Sequence, residues 1–372
     1  MAEQEETAEY VVDDKRLDKL PADFYATRNY ADFLIESIGE NRSDGKPFLA
    51  YLSFTALHDP LHVPEPWLSE YRGKYNDGYE VLKAQRAAAA KERGLVPDSS
   101  AVPERHKMVE AWDSLSKEKQ ALEARGMEVY AGMVSNMDYH FGRVVKYLKD
   151  IGEYDNTIVI FLSDNGPNPY YSDEHPGNRG SKWYTQLDNS IENIGHPGFN
   201  YGYGIGWSSA GAGPLDYFKV TVGEGGIRTP MLIAGPGVKG GRQVDAFAYI
   251  WDIMPTILEL ADVPHTGKYQ GRQVVEMRGK SLSGVLTGST KTVYGAEEFI
   301  GGEMIDGKWM RQGDFKALSV AKPYGDANWC LYNVVDDPGE TRDLAKEQPE
   351  KLKKLQAAWD SYAKDVDVVL SK

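Results

Sequence analysis

Residues 156–166 have the sequence NTIVIFLSDNG, and the interpretation of the whole chain starts from this stretch. Its apolar run, 158–162, is rich in β-branched residues and is typical of a strand buried on both faces. Polar residues that follow such a strand lie where open α/β sheets bind ligands. Asp and Asn oxygens are ligands that Ca²⁺ prefers, so Asp164 and Asn165 are candidate metal ligands. The alternative is a plain Asx-type turn with Gly166 at positive φ.

The composition is that of a globular protein with an acidic surface. The length of 372 residues fits one large domain and a smaller one. The formal net charge of −14 argues against nucleic acid as a partner and offers no basic patch for a membrane. The single cysteine, Cys330, excludes an intrachain disulfide. Residues 1–20 lack the apolar segment of a signal peptide, and these features together fit a cytoplasmic or a periplasmic location.

The pattern around the first stretch predicts an α/β fold. A second predicted strand, 46–54, brings His58 to its end, and a third covers residues 231–234. A long amphipathic helix is predicted from Met127 to about Gly152 and leads directly into the strand at 158–162. We therefore expect a mixed, mostly parallel sheet flanked by helices.

Two stretches between these elements differ from them in amino-acid composition. Residues 71–126 are rich in Lys, Glu, Arg and Ala, which predicts solvent-facing helices and loops inserted over the core. Residues 167–216 are dense in Gly, Pro, Asn, Ser and Tyr. A loop of this length in a compact domain is usually functional or disordered, and its tyrosines and tryptophans favour an ordered pocket wall.

Beyond about residue 288 the sequence pattern changes to short strand-like segments separated by turns. Residues 308–311 and 315–320 are predicted to pair as antiparallel strands, with a third strand at 330–334. A final helix has apolar residues at helical spacing, namely Leu352, Leu355, Trp359, Tyr362 and Val366. We expect a large α/β domain over residues 1–287 and a small α+β domain over residues 288–372.

The polar residues at the predicted strand ends form a chemically coherent set. His58 is a possible proton donor, Asp164 and Asn165 are oxygen ligands for a hard cation, and Lys219 is a cation. Such a set suits an anionic ester substrate whose leaving oxygen needs a proton.

With these residues in their order along the chain, the sequence resembles the sulfatase family of the alkaline-phosphatase superfamily, and bacterial arylsulfatases most closely. The resemblance extends along nearly all of the chain. The matching segments follow the family's order: 47–58, 137–138 with 142–144, 162–166, Lys219 with 224–230, and 331–344.

The resemblance implies an alkaline-phosphatase-like fold and a Ca²⁺-dependent sulfuric ester hydrolase acting on a small sulfate ester. Asp164 and Asn165 would be two of the Ca²⁺ ligands. Lys219 would bind the sulfate oxygens, and His58 would contact the sulfate and help to protonate the leaving oxygen. The family's nucleophile is a formylglycine hydrate, made from a Cys or Ser in a C/S-x-P/A-x-R motif.

The sequence departs from the family pattern near its start. It has no C/S-x-P/A-x-R motif, and Cys330 lies in a predicted C-terminal strand. The family's early Asp pair is also absent, because Asp13 and Asp14 precede the strand of His58 too closely and are interpreted as a surface pair. We therefore expect a sulfatase whose N-terminal part is missing, with half of its metal site and little or no activity alone. An unpaired sheet edge would then promote self-association.

Two other functions stay open from the sequence. One is a non-catalytic remnant or binding module that keeps the sulfatase fold. The other is a phosphonate or phosphate ester hydrolase of the same superfamily, since its metal and formylglycine chemistry is the same.

Overall fold

The computed structural model describes residues 10–174 and 181–371. Its helices are α1 (Ala26–Asn41), α2 (Trp67–Glu70), α3 (Tyr79–Glu92), α4 (Lys117–Asp150), α5 (Gly204–Ala212), α6 (Glu224–Ile227), α7 (Ile253–Leu260), α8 (Ser283–Thr287) and α9 (Pro349–Asp365). Its strands are β1 (Val11–Val12), β2 (Lys15–Arg16), β3 (Val159–Leu162), β4 (Met231–Ala234), β5 (Lys268–Tyr269), β6 (Arg272–Gln273), β7 (Phe299–Met304), β8 (Gly307–Gln312), β9 (Phe315–Ser319) and β10 (Cys330–Asn333). No helix in these ranges is long and apolar enough to cross a membrane.

The largest hydrophobic core is built around Trp207 of α5, which is fully buried. The rings of Tyr79 and Trp112 meet it edge-on, with centroids 5.6 and 5.7 Å away. Trp207 Nε1 donates a hydrogen bond to the Glu123 carbonyl at 2.9 Å. The prediction of solvent-facing helices and loops over residues 71–126 is therefore only partly right, because most of this stretch is exposed but Tyr79 and Trp112 pack on the central tryptophan.

The aromatic residues of 167–216 also lie mainly in this core. Tyr201, Tyr203 and Trp207 are buried, and Tyr203 stacks on Tyr130 of α4 with centroids 4.6 Å apart. These tyrosines were predicted to form a pocket wall, but most of their surface packs against other side chains.

β3 and β4 form a two-stranded antiparallel ladder. β3 was predicted as a strand buried on both faces and β4 as a second buried strand, yet β3 is half-buried and Leu232 of β4 is 68% exposed. The predicted strand at 46–54 is not formed, because this segment pairs with no other described strand and exposes Leu49 and Tyr51. Among the described residues all paired strands are antiparallel, so the mostly parallel sheet is not confirmed.

The C-terminal part matches its prediction closely. β7 to β10 form an antiparallel sheet in the order β10-β9-β8-β7, and α9 packs on it. Leu355 and Trp359 of α9 contact Met310, Ala317 and Leu331 of the sheet. The division of the chain at residues 287 and 288 stays a prediction.

A short hairpin joins β1 to β2 near the start of the described chain. Asp13 and Asp14 form its turn with φ of 48° and 63° and are exposed. Left-handed backbone of this kind is tolerated by Asp. The interpretation of this pair as surface residues is confirmed.

Candidate active site

The candidate site lies where β3 ends. β3 and β4 are antiparallel and Leu162 pairs with Met231, so the end of β3 lies beside the residues that lead into β4. Thr229 Oγ1 donates a hydrogen bond to the Ser163 carbonyl at 2.9 Å. The polar residues after β3 are thus held against segment 219–230.

Gly166 lets these two segments approach each other closely. Its N–H donates to the Gly226 carbonyl at 2.9 Å. A Cβ at this position would lie 1.9 Å from the Gly225 carbonyl oxygen, far inside any real contact distance. Glycine is required by this approach of two backbones and not by a positive φ, which corrects the turn considered from the sequence.

His58 and Lys219 meet directly at this place, although 161 positions separate them. Lys219 Nζ lies 3.2 Å from His58 Nε2. The backbone N–H of Lys219 donates to the Pro167 carbonyl at 3.0 Å, which fixes the lysine beside the turn after β3. The structure therefore brings together the histidine and the lysine that were predicted to act on the substrate.

Asp59 holds the imidazole from the other side. His58 Nδ1 lies 2.9 Å from Asp59 Oδ1, which also accepts a hydrogen bond from Asn168 Nδ2 at 2.8 Å. With its Nδ1–H donated to Asp59, a neutral His58 offers Nε2 as an acceptor to Lys219. The hydrogen bond that His58 donates to Asp59 raises the pKa of His58, while partial burial and the charge of Lys219 oppose this rise.

Sequence reasoning had missed Asp59 and Asn168 as site residues. The position of Asp59 next to His58 was an available signal, because a carboxylate beside a histidine commonly sets its tautomer. Nothing in the sequence marks Asn168, since its contact with Asp59 spans 109 positions.

Asp164 and Asn165 occupy the turn directly after β3, and the Asp164 side chain is exposed. Neither side chain makes a hydrogen bond or ion pair with another described residue, so their oxygens are available to a cation. Ca²⁺ takes six to eight oxygens, and this pair matches its donor preference in kind but not in number. In residues 10–174 and 181–371, no three His, Cys, Asp or Glu side chains are close enough to hold a metal.

A buried ion cluster fixes the segment that carries Lys219. Lys316 Nζ of β9 lies 2.8 Å from Glu224 Oε1 and 2.9 Å from Glu340 Oε1. The backbone N–H of Glu224 donates to Glu340 Oε2 at 2.8 Å. The three side chains are almost completely buried, and we call them the Lys316 triad. It joins α6, five residues after Lys219, to the C-terminal sheet.

The charges of the Lys316 triad compensate one another. Burial disfavours an ionised Glu224, but Lys316 and Arg228 outweigh burial and lower its pKa. Burial raises the pKa of Glu340 to about 7, with the Lys316 charge acting against this rise and Glu224 adding to it. Burial also acts against the charge of Lys316, yet the two carboxylates prevail and raise its pKa. A charged lysine thus faces one carboxylate whose pKa is lowered and one whose pKa is raised.

Comparison with known proteins identifies the family. The Sulfatase family model matches residues 1–263, well over half of the chain, and the chain belongs to the sulfatase family. An uncharacterized sulfatase of Schizosaccharomyces pombe is 40% identical over 93% of this chain and 63% of its own length. An arylsulfatase of Klebsiella aerogenes is 34% identical over 74% of this chain and 59% of its own length. The chain thus spans about six tenths of the length of these relatives.

Solved structures share the fold. A structure crystallised with its substrate D-glucosamine-2-N,6-O-disulfate has a TM-score of 0.53, with 20% identity over 95% of this chain and 71% of that one. A phosphonate monoester hydrolase from Silicibacter pomeroyi has a TM-score of 0.51, with 19% identity over 92% of this chain and 61% of that one. The alkaline-phosphatase-like fold predicted from the sequence is confirmed, and so is the assignment to a family of hydrolases.

Proposed function

We propose that this chain supplies the sulfate-binding and leaving-group side of a sulfuric ester hydrolase site. The observation that carries the proposal is the 3.2 Å contact between Lys219 Nζ and His58 Nε2 beside the Asp164–Asn165 turn. An ammonium and an imidazole that share one face can both donate to an anionic sulfate group. Membership of the sulfatase family and the 34% identity to an arylsulfatase support the choice of sulfate over other anions.

Each residue has a defined task in this proposal. The Lys219 ammonium donates to the sulfate oxygens and stabilises the charge that develops there. Protonated His58 donates its Nε2 proton to the ester oxygen as the bond between sulfur and that oxygen breaks. Asp59 keeps the ring oriented through Nδ1 and favours the protonated form, which is the form that can act as the acid.

Ca²⁺ and formylglycine are the groups that the family implies. Where they are present, Ca²⁺ would supply charge stabilisation and the formylglycine residue would supply the nucleophile. Asp164 and Asn165 would hold two of the oxygen positions around Ca²⁺. No residue of this chain lies in the sequence motif from which formylglycine is made. We therefore propose that the purified chain binds sulfate esters but turns over aryl sulfates very slowly or not at all at saturating Ca²⁺.

Equilibrium binding tests the proposal without requiring turnover. Calorimetric titration of the chain with 4-nitrophenyl sulfate should give binding that weakens about tenfold or more in Lys219→Ala and in His58→Ala, because each removes a charge-assisted hydrogen bond. Lys353→Ala, which removes an exposed lysine on α9, serves as the matched control and should bind like the original chain. Equal binding by all four proteins would refute the proposal.

A parallel titration separates the two ester classes. The phenyl ester of phenylphosphonate has a similar body and an anionic phosphorus group, and it should bind more weakly than the aryl sulfate. Tighter binding of the phosphonate ester would favour the phosphonate hydrolase instead. A hydrolysis assay with both compounds completes the comparison, and robust aryl sulfate turnover by this chain alone would contradict the expectation of an inactive chain.

A further inference from the structure

A cleft of about 410 Å³ lies between α3, segment 102–109 and α5. This volume falls within the lower part of the range of small-molecule sites. None of His58, Asp164, Asn165 and Lys219 lines it. The cleft is therefore separate from the sulfate ester site proposed above.

Small side chains on two facing helices create the space. Ala84, Ala87 and Ala88 lie on one face of α3, since residues three and four apart on a helix are neighbours. Gly206 of α5 lies opposite, where a Cβ would come within 2.6 Å of the Tyr79 ring. The two helices thus touch at Gly206, and the alanines beside this contact leave an apolar floor.

The charged residues of the cleft are mainly cationic. Among the residues that the structure describes, Lys83, Lys91 and Arg105 line it together with one carboxylate, Glu80. Glu80 Oε1 already accepts a hydrogen bond from the Trp112 backbone at 3.2 Å and lies 3.8 Å from Arg105 Nε. On a chain with a net charge of −14, this local excess of positive charge favours an anion.

Lys83 is a buried cation with few hydrogen-bond partners. Its side chain lines the cleft, and the residue is only 8% exposed. Its Nζ donates one long hydrogen bond, 3.4 Å, to the Glu104 carbonyl, and within the described ranges no carboxylate oxygen lies within 4.0 Å of it. An ammonium has three N–H donors, so two of them have no acceptor among the described residues.

This shortage has an energetic cost. Burial lowers the pKa of Lys83, and the nearby carboxylates of Asp216 and Glu80 counteract only part of this effect. A buried charge without full hydrogen bonding destabilises the folded state, so a ligand oxygen that accepts from Nζ would be bound favourably.

We propose that the cleft binds a small amphiphile that has one carboxylate on a short apolar body. The carboxylate accepts hydrogen bonds from Lys83 Nζ, and the apolar body covers the alanines of α3. Lys91 and Arg105 add attraction for the anion. A neutral oxygen acceptor would make a weaker hydrogen bond to the Lys83 ammonium than a carboxylate does, and a cation would be repelled.

Calorimetric titration with octanoate tests the proposal. The chain should bind one octanoate, and Lys83→Met should weaken this binding about tenfold or more, because it removes the charged donor and keeps the aliphatic stem. Arg86→Met removes an exposed cation of the same helix that does not line the cleft, so it is the matched control and should bind like the original chain. Octanamide, which lacks the negative charge, should bind the original chain more weakly and lose less affinity than octanoate in Lys83→Met.

A second variant leaves Lys83 in place. Ala84 is exposed and lines the cleft, so Ala84→Leu fills the apolar floor without disturbing the core, and it should also weaken octanoate binding. Melting temperatures no lower than that of the original chain would show that the variants are folded. The proposal is overturned if octanoate does not bind at millimolar concentration, or if it binds equally to the original chain, Lys83→Met and Ala84→Leu.

Discussion

The C-terminal sheet and the β3–β4 ladder were both predicted from short apolar runs, yet they differ greatly in burial. Leu331 of β10 is completely buried, whereas Leu232 of β4 is 68% exposed. The C-terminal sheet is covered by α9 and each strand pairs with its neighbour in sequence. β3 and β4 pair with each other, and the ring of Phe161 in β3 packs in a tilted arrangement against the ring of Phe141 in α4. An apolar run indicates a strand, but the cover over the strand decides whether it is buried.

The less buried of these two regions carries the candidate active site, and the more buried one carries a well-packed core. The candidate active site lies on the thin β3–β4 ladder, and the Lys316 triad ties its lysine-bearing segment to the well-packed C-terminal sheet. The site thus depends on a distant region for its rigidity. The following experiments test this dependence, beginning with the largest expected effect.

Removal of the triad's only cation should have the largest effect on stability. Lys316→Met removes the ammonium that two adjacent buried carboxylates share, and we expect a loss of about 3–5 kcal/mol in the free energy of unfolding. Urea denaturation measures this loss. Lys353→Met on the exposed side of α9 is the control and should change stability by less than about 0.5 kcal/mol. Similar losses in the two variants would show that the triad has no special role.

The two leucines test the comparison directly. Leu331→Ala should lower the free energy of unfolding by about 2–5 kcal/mol, because it leaves a cavity in the core under α9. Leu232→Ala removes the same atoms from an exposed position and should cost less than about 0.5 kcal/mol. A large loss in Leu232→Ala would mean that β4 is covered in solution, for instance by a second copy of the chain.

Self-association is the next test. Leu49 and Tyr51 in the segment before His58, and Leu232 of β4, have large exposed apolar side chains, which supports the expectation of association. Size-exclusion chromatography with light scattering should show species larger than the monomer at high concentration. Leu232→Lys should shift this equilibrium towards the monomer, since charged residues discourage pairing at exposed strands. A clean monomer of the original chain at every concentration would contradict the expectation.

The smallest expected effect is on the titration of His58. Its pKa is raised above the ordinary value of 6.5, mainly by the hydrogen bond with Asp59, so the protonated ring persists to higher pH. The acid form, and with it the binding of sulfate esters, should be lost as the pH rises through this raised value. In Asp59→Asn the loss should occur at lower pH. Lys219→Met should shift it the other way, because the Lys219 charge lowers the pKa.

NMR titration of the His58 ring protons measures these shifts. Coincident His58 curves in the original chain and Asp59→Asn would exclude Asp59 as the group that sets the protonation of the site.

The sequence predicted the C-terminal region well because its information is local. The strands of β8 and β9 are adjacent in the chain and joined by a tight turn at Gly313, with φ of 55°. The spacing of the apolar residues within the terminal helix α9 is enough to identify its buried face. Neither prediction requires knowledge of a distant partner.

The main core was predicted poorly because its partners are far apart in sequence. Charge-rich composition suggested that 71–126 faces solvent, yet Tyr79 and Trp112 belong to the core around Trp207. α4 also begins at Lys117, ten residues before its predicted start at Met127. Its first turns contain good helix formers with little apolar periodicity, which a search for an apolar face overlooks.

The candidate site lies between these two cases. The residue types of His58, Asp164, Asn165 and Lys219 indicated their chemistry, and the resemblance to sulfatases gave them roles. Their mutual geometry was beyond the sequence, because a contact across 161 positions leaves no trace in spacing. The Lys316 triad did leave one trace, since Lys316 interrupts an otherwise apolar strand, and a charged residue there calls for a buried partner.

The Lys316 triad also bears on how this protein could be divided. Glu224 comes from the part of the chain before residue 288, and Lys316 and Glu340 come from the part after it. Expression of the two parts as separate polypeptides would expose each half of the cluster to water and remove the contacts that hold α6. Because buried charged residues connect the two sides of the predicted boundary, it is a poor place to cut the chain.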